Sequence, residues 1–254
     1  MTRPVKQNRM RGLERAFDML DYLQRARTPQ RPNEIAVGMD APKSSIYELV
    51  GLLLERGILE AADDEGRVFL GRKLHFLGSA YLARFSLTRI AKRYLERLTR
   101  ETGETSQLCM LDGDKNTAVL MQEGRGQFRI SAAVGERFPL PWTASGRLLT
   151  EGLSDAEIGA LIPRKDLHLP DGSVMALDAF VDEARAAQAA GYFDFVGADS
   201  FIRCLAASIH DEHRRCIATL CLVVPKDDVA SHLPRYRDML KARAAELCAE
   251  LCNR

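Results

Sequence analysis

Apolar residues recur every three or four positions in the first part of the chain. Residues 12–26 read GLERAFDMLDYLQRA, with Leu13, Ala16, Phe17, Leu20 and Leu23 at helical spacing and charges between them. This pattern predicts an amphipathic helix with one buried face. A second, short helix is predicted at residues 32–38, which read PNEIAVG, because it begins with proline and ends at glycine.

The next segment, residues 41–59, reads APKSSIYELVGLLLERGIL and predicts a third helix. Proline 42 suits the first turn because its missing N–H is not needed there, and Gly57 suits the exit. An apolar stripe is expected to face the core, and it comprises Ile46, Leu49, Val50, Leu53 and Leu54. Residues 58–71 then read ILEAADDEGRVFLG, which predicts two short strands around a turn at residues 64–66.

Three helices followed by a hairpin are typical of a winged helix-turn-helix. In that fold the N-terminal end of the third helix enters the major groove of DNA. Small polar side chains and a lysine can there reach bases and phosphates, so we expect contacts from Lys43, Ser44, Ser45 and Tyr47. Arg67 on the hairpin is expected to contact phosphates. The alternative is a packed three-helix fold that binds nothing.

The second half of the chain predicts an α+β fold. A connecting helix with a break near Ser86 is expected to begin this half, with Leu87, Ile90, Ala91, Tyr94, Leu95 and Leu98 on its apolar face. Strands are predicted at residues 106–111, 117–123 and 128–134, and a hairpin at residues 203–209 and 216–224. Helices are predicted after a capping box formed by Ser154 and Glu157, before Gly191, and after Pro234.

Composition and charge change this picture only at the N-terminus. The net charge is +1, yet residues 1–11 carry Arg3, Lys6, Arg9 and Arg11 and no acid. Such an arm is typical of segments that touch polyanions, and a merely solvated tail is the alternative. We therefore expect Arg3 and Arg9 to contact phosphates or the minor groove. No apolar run is long enough for a membrane span or a secretory signal, and the scattered cysteines are typical of a cytoplasmic protein.

Several stretches together resemble the IclR family of bacterial transcriptional regulators. They are GLERAFDMLDYL, APKSSIYELVGLLLERGILE, GRVFLGRKLHFLGSAYL, TGETSQLCMLDGD, RISAAVGERFPLPWTASGRLL and RCLAASIHDEHRRCIATLCLVVP, from about Gly12 to the last helix. The resemblance implies a winged helix-turn-helix at 12–73 after a basic arm at 1–11. It also implies a connecting helix and a GAF-like antiparallel sheet flanked by helices, which bind an effector, at 74–254. Homodimers or pairs of dimers on palindromic operators are expected.

The resemblance also implies an effector pocket between the sheet and a loop. Carried over by position, the pocket residues are Phe138, Ala144, Ser145, Asp194, Ile202, Cys204, Cys221 and Val223. Strand packing is the alternative for Cys204, Cys221 and Val223, because these residue types are commonly buried. Two residues depart from the family pattern. Glu48 stands where many members carry arginine, which affects the operator sequence that is preferred. Phe201 stands where glycine is usual, which affects the shape of the loop before Arg203 and Cys204.

The sequence evidence for a metal site or a catalytic residue is weaker. His210 and His213 are expected to be solvated in a hairpin turn, and Cys248 and Cys252 to pack, because a metal site needs further ligands. Ser145 lacks the glycine elbow of a serine nucleophile. We therefore expect no metal, no cofactor and no catalytic activity. An enzyme whose N-terminal helices only dimerise it is the alternative to a ligand-responsive DNA-binding regulator.

The pocket residues also predict a class of effector. Relatives that take very small oxoacids place serine hydroxyls where this chain has Cys221 and Val223, and neither replacement is a strong donor. Phe138, Ile202 and Val223 would instead form an apolar wall, while Asp194 would either disfavour a second ligand carboxylate close by or accept from a ligand hydroxyl. We therefore expect a larger, partly apolar organic acid, aromatic and hydroxylated, held at the backbone near Ala144 and Ser145.

Overall fold

The chain forms two compact units, Met1–Phe85 and Ser86–Arg254. The computed structural model describes residues 4–84, 86–125, 133–196, 201–226 and 232–252, and for residues 4–11, 81–84 and 86 it describes no more than the backbone. Within the described residues, no helix is both long enough and apolar enough to cross a membrane.

The first unit is a winged helix-turn-helix, as predicted. Its elements are α1 (Pro4–Ala26), α2 (Pro32–Gly38), α3 (Lys43–Glu55), β1 (Leu59–Ala61), β2 (Val68–Leu70) and α4 (Arg72–Arg84). Strands β1 and β2 are antiparallel, with Leu59 opposite Leu70. The order of helices and strands therefore follows the periodicity of the sequence.

The core of this unit differs from the predicted face of α1. Its buried side chains are Met19, Leu23, Ile35, Ala36, Ile46, Val50, Leu59 and Val68. Leu13 and Phe17, which were predicted to be buried, are each 61% exposed. Helix α1 begins at Pro4, so its first turns include residues 4–11 of the predicted basic arm. Helix α1 thus continues past the part of the unit that buries it, and carries exposed apolar side chains there.

The second unit is built on one antiparallel sheet of six strands. Its strands are β3 (Thr105–Asp112), β4 (Lys115–Gln122), β5 (Arg137–Pro139), β6 (Tyr192–Val196), β7 (Ile202–His210) and β8 (Cys216–Pro225), in the spatial order β5-β4-β3-β8-β7-β6. Its helices are α5 (Ser86–Thr102), α6 (Ala144–Leu149), α7 (Asp155–Leu161), α8 (Leu177–Ala190) and α9 (Leu233–Cys252). The predicted α+β class is confirmed.

Helices cover both faces of this sheet. Helices α5 and α9 pack on one face, where the buried residues include Leu95, Leu108, Leu205, Leu222 and Leu240. Helices α6 and α8 contribute Leu148 and Ala187 to the core on the other face, beside Cys109, Ala206 and Cys221. We call the second face the α6 face. Because side chains alternate along a strand, each strand residue belongs to one face or the other.

Most predicted elements of this unit are present, and some were missed. The capping box of Ser154 and Glu157 starts α7, and Gly191 ends α8 in the left-handed conformation. Strands β5 and β6 and helix α6 were not predicted. The predicted strand at residues 128–134 lies almost wholly outside the described residues.

Candidate DNA-binding and effector-binding sites

The N-terminal end of α3 presents polar side chains to solvent. Lys43 and Ser44 are exposed, Ser45 is half-buried, and Tyr47 is 55% exposed. Ile46, between them in sequence, is fully buried and fixes which side of the helix faces outward. The structure therefore brings these four predicted residues together on the first turns of one helix.

The hairpin residue Arg67 is held within its own turn. Its guanidinium lies 3.0 Å from Asp63 Oδ2 and 2.9 Å from Glu65 Oε2, and its side chain is 41% exposed. Asp63 also accepts hydrogen bonds from the backbone N–H groups of Glu65 and Arg67. The backbone N–H of Arg67 is the main cause that lowers the pKa of Asp63. Arg67 therefore shares its charge with two carboxylates, unlike Lys43.

The two predicted arm residues are only partly described. Arg3 lies outside the described residues, and Arg9 lies in the first turns of α1, where the structure gives the backbone alone. Their predicted contacts with DNA therefore stay predictions.

Helix α6 begins at the sequence TASG on the α6 face. The Thr143 side chain accepts a hydrogen bond of 3.0 Å from the Gly146 N–H, which caps the helix. A Cβ at Gly146 would lie 2.1 Å from the carbonyl oxygen of Leu140, so only glycine fits there. This close approach holds Ala144 and Ser145, both buried, at the start of the helix against the sheet.

Most of the predicted pocket residues share the α6 face. Cys204 pairs with Val223, Ile202 with Pro225, and Ala206 with Cys221, so these side chains line one face together. Phe138 lies on the same face at the other edge of the sheet. It pairs with Asn116, two residues before Ala118, which pairs with Cys109.

Asp194 is the exception. It pairs with Leu205, whose side chain is in the core under α5 and α9. Its carboxylate accepts a hydrogen bond of 2.7 Å from Arg203 Nε on that same face. The structure does not bring Asp194 together with the other predicted pocket residues, because one strand position separates the two faces.

A chain of hydrogen bonds links α6 to the central strands. Thr219 donates to Ser145 Oγ at 2.8 Å, and Ser145 Oγ lies 3.0 Å from Cys221 Sγ. Cys221 lies 3.9 Å from Cys109 Sγ, and Cys109 donates to Gln107 Oε1 at 3.9 Å. The neighbouring Cys221 thiol and burial raise the pKa of Cys109, so this thiol stays protonated. Among the described residues, Ser145 therefore has hydroxyl and thiol partners and no imidazole base.

A buried arginine holds the start of α6. Arg147 is fully buried and donates to the carbonyl oxygens of Pro141 at 2.8 Å and Thr143 at 2.7 Å. Its guanidinium also lies 2.8 Å from Glu183 Oε2 on α8. Three aromatic rings surround it, those of Phe180, Phe193 and Phe195, with centroids 5.1, 5.2 and 4.6 Å from Cζ. Burial lowers the pKa of this guanidinium, while Glu183 opposes that effect.

Sequence reasoning missed some residues of this face. Gln107, Cys109, Thr219 and Arg147 belong to the networks above, and Asn116 is buried with an Oδ1 atom that has no hydrogen-bond partner. Side chains alternate along a strand, so Thr219, two residues before Cys221, could have been predicted to lie on the same face. No sequence signal distinguishes Asn116 from an exposed asparagine near a turn.

The prediction for His210 was wrong, and the prediction for Cys252 was wrong too. His210 ends β7, and its Nε2 lies 2.8 Å from Glu151 Oε2, so it is not a freely solvated turn residue. Its backbone N–H donates to Cys248 Sγ at 3.2 Å, which ties α9 to the sheet. Cys252 is exposed rather than packed. His213 is exposed in the turn, as predicted.

A winged helix-turn-helix followed by a sheet domain with a polar network beneath a capped helix defines a DNA-binding transcriptional regulator of two domains. Residues 12–63 match the IclR helix-turn-helix domain, and residues 79–249 match the C-terminal domain of the bacterial transcriptional regulator IclR. The chain belongs to the IclR family.

Curated relatives cover most of the chain. It is 26% identical to the HTH-type transcriptional regulator XynR of Escherichia coli over 95% of this chain and 97% of the relative. It is 25% identical to the acetate operon repressor of Salmonella typhimurium over 88% of this chain and 83% of the relative. Among solved structures, an IclR homolog from Microbacterium hydrocarbonoxydans complexed with 4-hydroxybenzoate has a TM-score of 0.78 at 24% identity, over 94% and 98% of the two chains.

Proposed function

We propose that this regulator binds a palindromic operator through the N-terminal end of α3 and responds to an aromatic hydroxy acid bound on the α6 face of the sheet. The observation that carries the proposal is the shared α6 face, which combines a capped helix start with apolar strand positions. The DNA-binding domain would span residues 12–73 and the effector-binding part residues 74–254, in the cytoplasm, where the chromosome lies.

Lys43 is the main cation that we propose for phosphate contact. It is exposed at the start of α3, whereas Arg67 must leave Asp63 and Glu65 before it can meet a phosphate. Ser44, Ser45 and Tyr47 would contact bases and sugar-phosphate from the same turns. Lys43→Ala should weaken binding to every DNA sequence. It should also reduce, by about one, the slope of the logarithm of the binding constant against the logarithm of the salt concentration. Arg67→Ala should have the smaller effect.

We propose that the regulator acts at least as a dimer. Leu13 and Phe17 on α1 are exposed, and so are Phe76 and Leu77 on α4. Exposed apolar side chains clustered on helices are typical of a surface that another subunit covers. A twofold operator also requires a twofold protein.

The ligand carboxylate is proposed to lie at the backbone of Ala144 and Ser145. The N–H groups of a first helical turn have no intrahelical acceptor, and Thr143 already accepts from Gly146. The Ser145 hydroxyl is less suited to this role, because it accepts from Thr219 and lies in contact with Cys221. Backbone groups would therefore provide the donors.

The rest of the ligand is proposed to be aromatic and hydroxylated. Phe138, Cys204 and Val223 offer apolar contact on the α6 face. Asn116 Oδ1, buried and without a partner, would accept from the ligand hydroxyl in place of Asp194, which lies on the other face. The solved relative that carries 4-hydroxybenzoate supports this class of ligand.

The experiment combines operator retardation with a thermal-shift panel of glyoxylate-sized acids and aromatic hydroxy acids. We expect the protein to retard its own upstream DNA, and 4-hydroxybenzoate-like acids to raise the melting temperature and change that retardation. Asn116→Ala should reduce the thermal shift, and Asp194→Ala should leave it unchanged. Stabilisation by the small acids alone, or a loss of response in Asp194→Ala, would contradict the pocket.

The enzyme alternative has no observation in its favour. The hydroxyl most suited to nucleophilic attack, that of Ser145, has partners in Thr219 and Cys221, and no histidine or carboxylate of the described residues forms a hydrogen bond with it. We therefore propose a regulator without catalytic activity.

A further inference from the structure

The exposed side of α3 forms one continuous stripe. Its members are spaced three or four residues apart, as one helix face requires, and they are Ser44, Tyr47, Glu48, Gly51, Leu52 and Glu55. At 100° per residue, Gly51 lies on this stripe between Tyr47 and Ser44, about 20° from Ser44 and about 60° from Glu48. Ile46 and Val50, on the opposite side, are buried in the core of the unit.

A glycine inside a helix needs a reason, because it destabilises the helix relative to alanine. At Gly146 the reason lies within the chain, since a Cβ would meet the Leu140 carbonyl oxygen at 2.1 Å. At Gly51 a Cβ would meet nothing within 4 Å, and the backbone is ordinary helix. Packing inside this chain therefore does not require glycine at position 51.

Close approach of another molecule would account for a small residue there. The N-terminal turns of this stripe are the surface that the proposed operator contacts, and Gly51 lies on the same side of α3 one turn beyond Tyr47, so DNA is the molecule expected to approach it. We propose that Gly51 marks the closest approach of operator DNA to α3, and that Glu48, on the same stripe, selects a cytosine in the major groove. This inference rests on the proposed function and assigns base selection within it.

Glu48 fits base contact rather than phosphate contact. Its side chain is exposed and has no ion-pair partner among the residues that the structure describes. A carboxylate near phosphates is unfavourable unless it meets a hydrogen-bond donor. Cytosine offers its N4 amino group in the major groove, whereas the adenine amino group lies beside the N7 acceptor, which repels a carboxylate. Cytosine is therefore the base that Glu48 suits best.

Glu55 provides a matched control on the same stripe. It is exposed like Glu48 but lies at the last residue of α3, away from the end that enters the groove. Glu48→Gln and Glu55→Gln remove the same charge, so any general gain in affinity for DNA should be similar. Only the first should change which base is selected.

The test selects operators from a randomised duplex library with the full-length protein, and measures the affinity of each variant for the selected operator. Glu48→Gln should reduce the preference for cytosine at one position of each half-site by roughly tenfold, while Glu55→Gln keeps it. Gly51→Ala should raise the melting temperature of the first unit by roughly 4–8 °C and yet weaken operator binding at least about tenfold. A higher melting temperature together with weaker operator binding would show that a contact with DNA was lost and that the fold was not.

Three outcomes would overturn the inference. If Gly51→Ala binds the operator as tightly as the parent does, operator DNA does not approach α3 closely at Gly51. If Glu48→Gln selects the same operators as the parent does, Glu48 does not select a base. A parent protein that selects no DNA sequence would overturn the proposed operator binding as well, whereas the first two outcomes leave that binding intact.

Discussion

Replacing Arg147 by methionine tests what the buried guanidinium contributes to the second unit. The arginine is fully buried, bonded to two backbone carbonyls and to Glu183, and surrounded by three phenylalanine rings. Methionine is similar in length and fills much of the same space, so cavity formation contributes little. The measured change therefore reports the lost polar contacts.

The two backbone carbonyl groups account for most of the expected loss in the free energy of unfolding. Pro141 and Thr143 would each keep a buried oxygen without this donor, which costs about 1–3 kcal/mol per group. Glu183 would lose less, because its side chain is 41% exposed and water can solvate it. The ring contacts add about 1 kcal/mol. These losses add to about 3–7 kcal/mol, and we expect the lower part of that range, about 3–5 kcal/mol, which is the usual result of breaking a buried charge network.

Differential scanning calorimetry would measure this effect as the shift of the second unit's transition. For a unit of this size, 3–5 kcal/mol corresponds to a fall of roughly 6–20 °C. Arg97→Met is the control. Arg97 pairs with Glu101 and Glu246 on the surface, where the loss should be below about 1 kcal/mol. Equal shifts for the two variants would refute the reasoning, since only Arg147 is buried and only Arg147 bonds buried carbonyl groups.

Three further predictions concern other parts of the chain. Phe17→Glu or Phe76→Glu should convert the dimer to monomer in light scattering, whereas Val174→Glu, equally exposed in the second unit, should not; a parent monomer at micromolar concentration would contradict this. Val223→Ser should shift the thermal-shift response toward smaller, more polar acids, and an unchanged ranking would exclude Val223 from the pocket. Burial and Glu151 raise the pKa of Cys216 to about 12, so at pH 8 iodoacetamide should label exposed Cys252 first, as measured by mass spectrometry.

The sequence was sufficient for elements with strong periodicity and clear ends. Helix α3 has an apolar stripe of full length between Pro42 and Gly57, and the hairpin after it has a turn that glycine marks. Strands β7 and β8 are apolar on both faces because helices cover both, so their pattern was clear as well.

Other features depend on contacts between distant residues. Strand β6 contains Asp194 and is only half-buried throughout, which weakened its pattern. Helix α6 has six residues, too few to show a helical period. The burial of Arg147 follows from carbonyls, a carboxylate and rings contributed by three other elements, and no local pattern in the sequence indicates it.

The strand order has a consequence for synthesis of the protein. Strand β8, which ends at Pro225, lies between β3 and β7, and Thr105 pairs with Val223. During translation the early hairpin of β3 and β4 therefore keeps one unpaired edge until almost the whole chain has left the ribosome, for about 10 s at ordinary elongation rates. Chains that terminate before β8 would keep that edge permanently, and an unpaired edge of this kind favours aggregation.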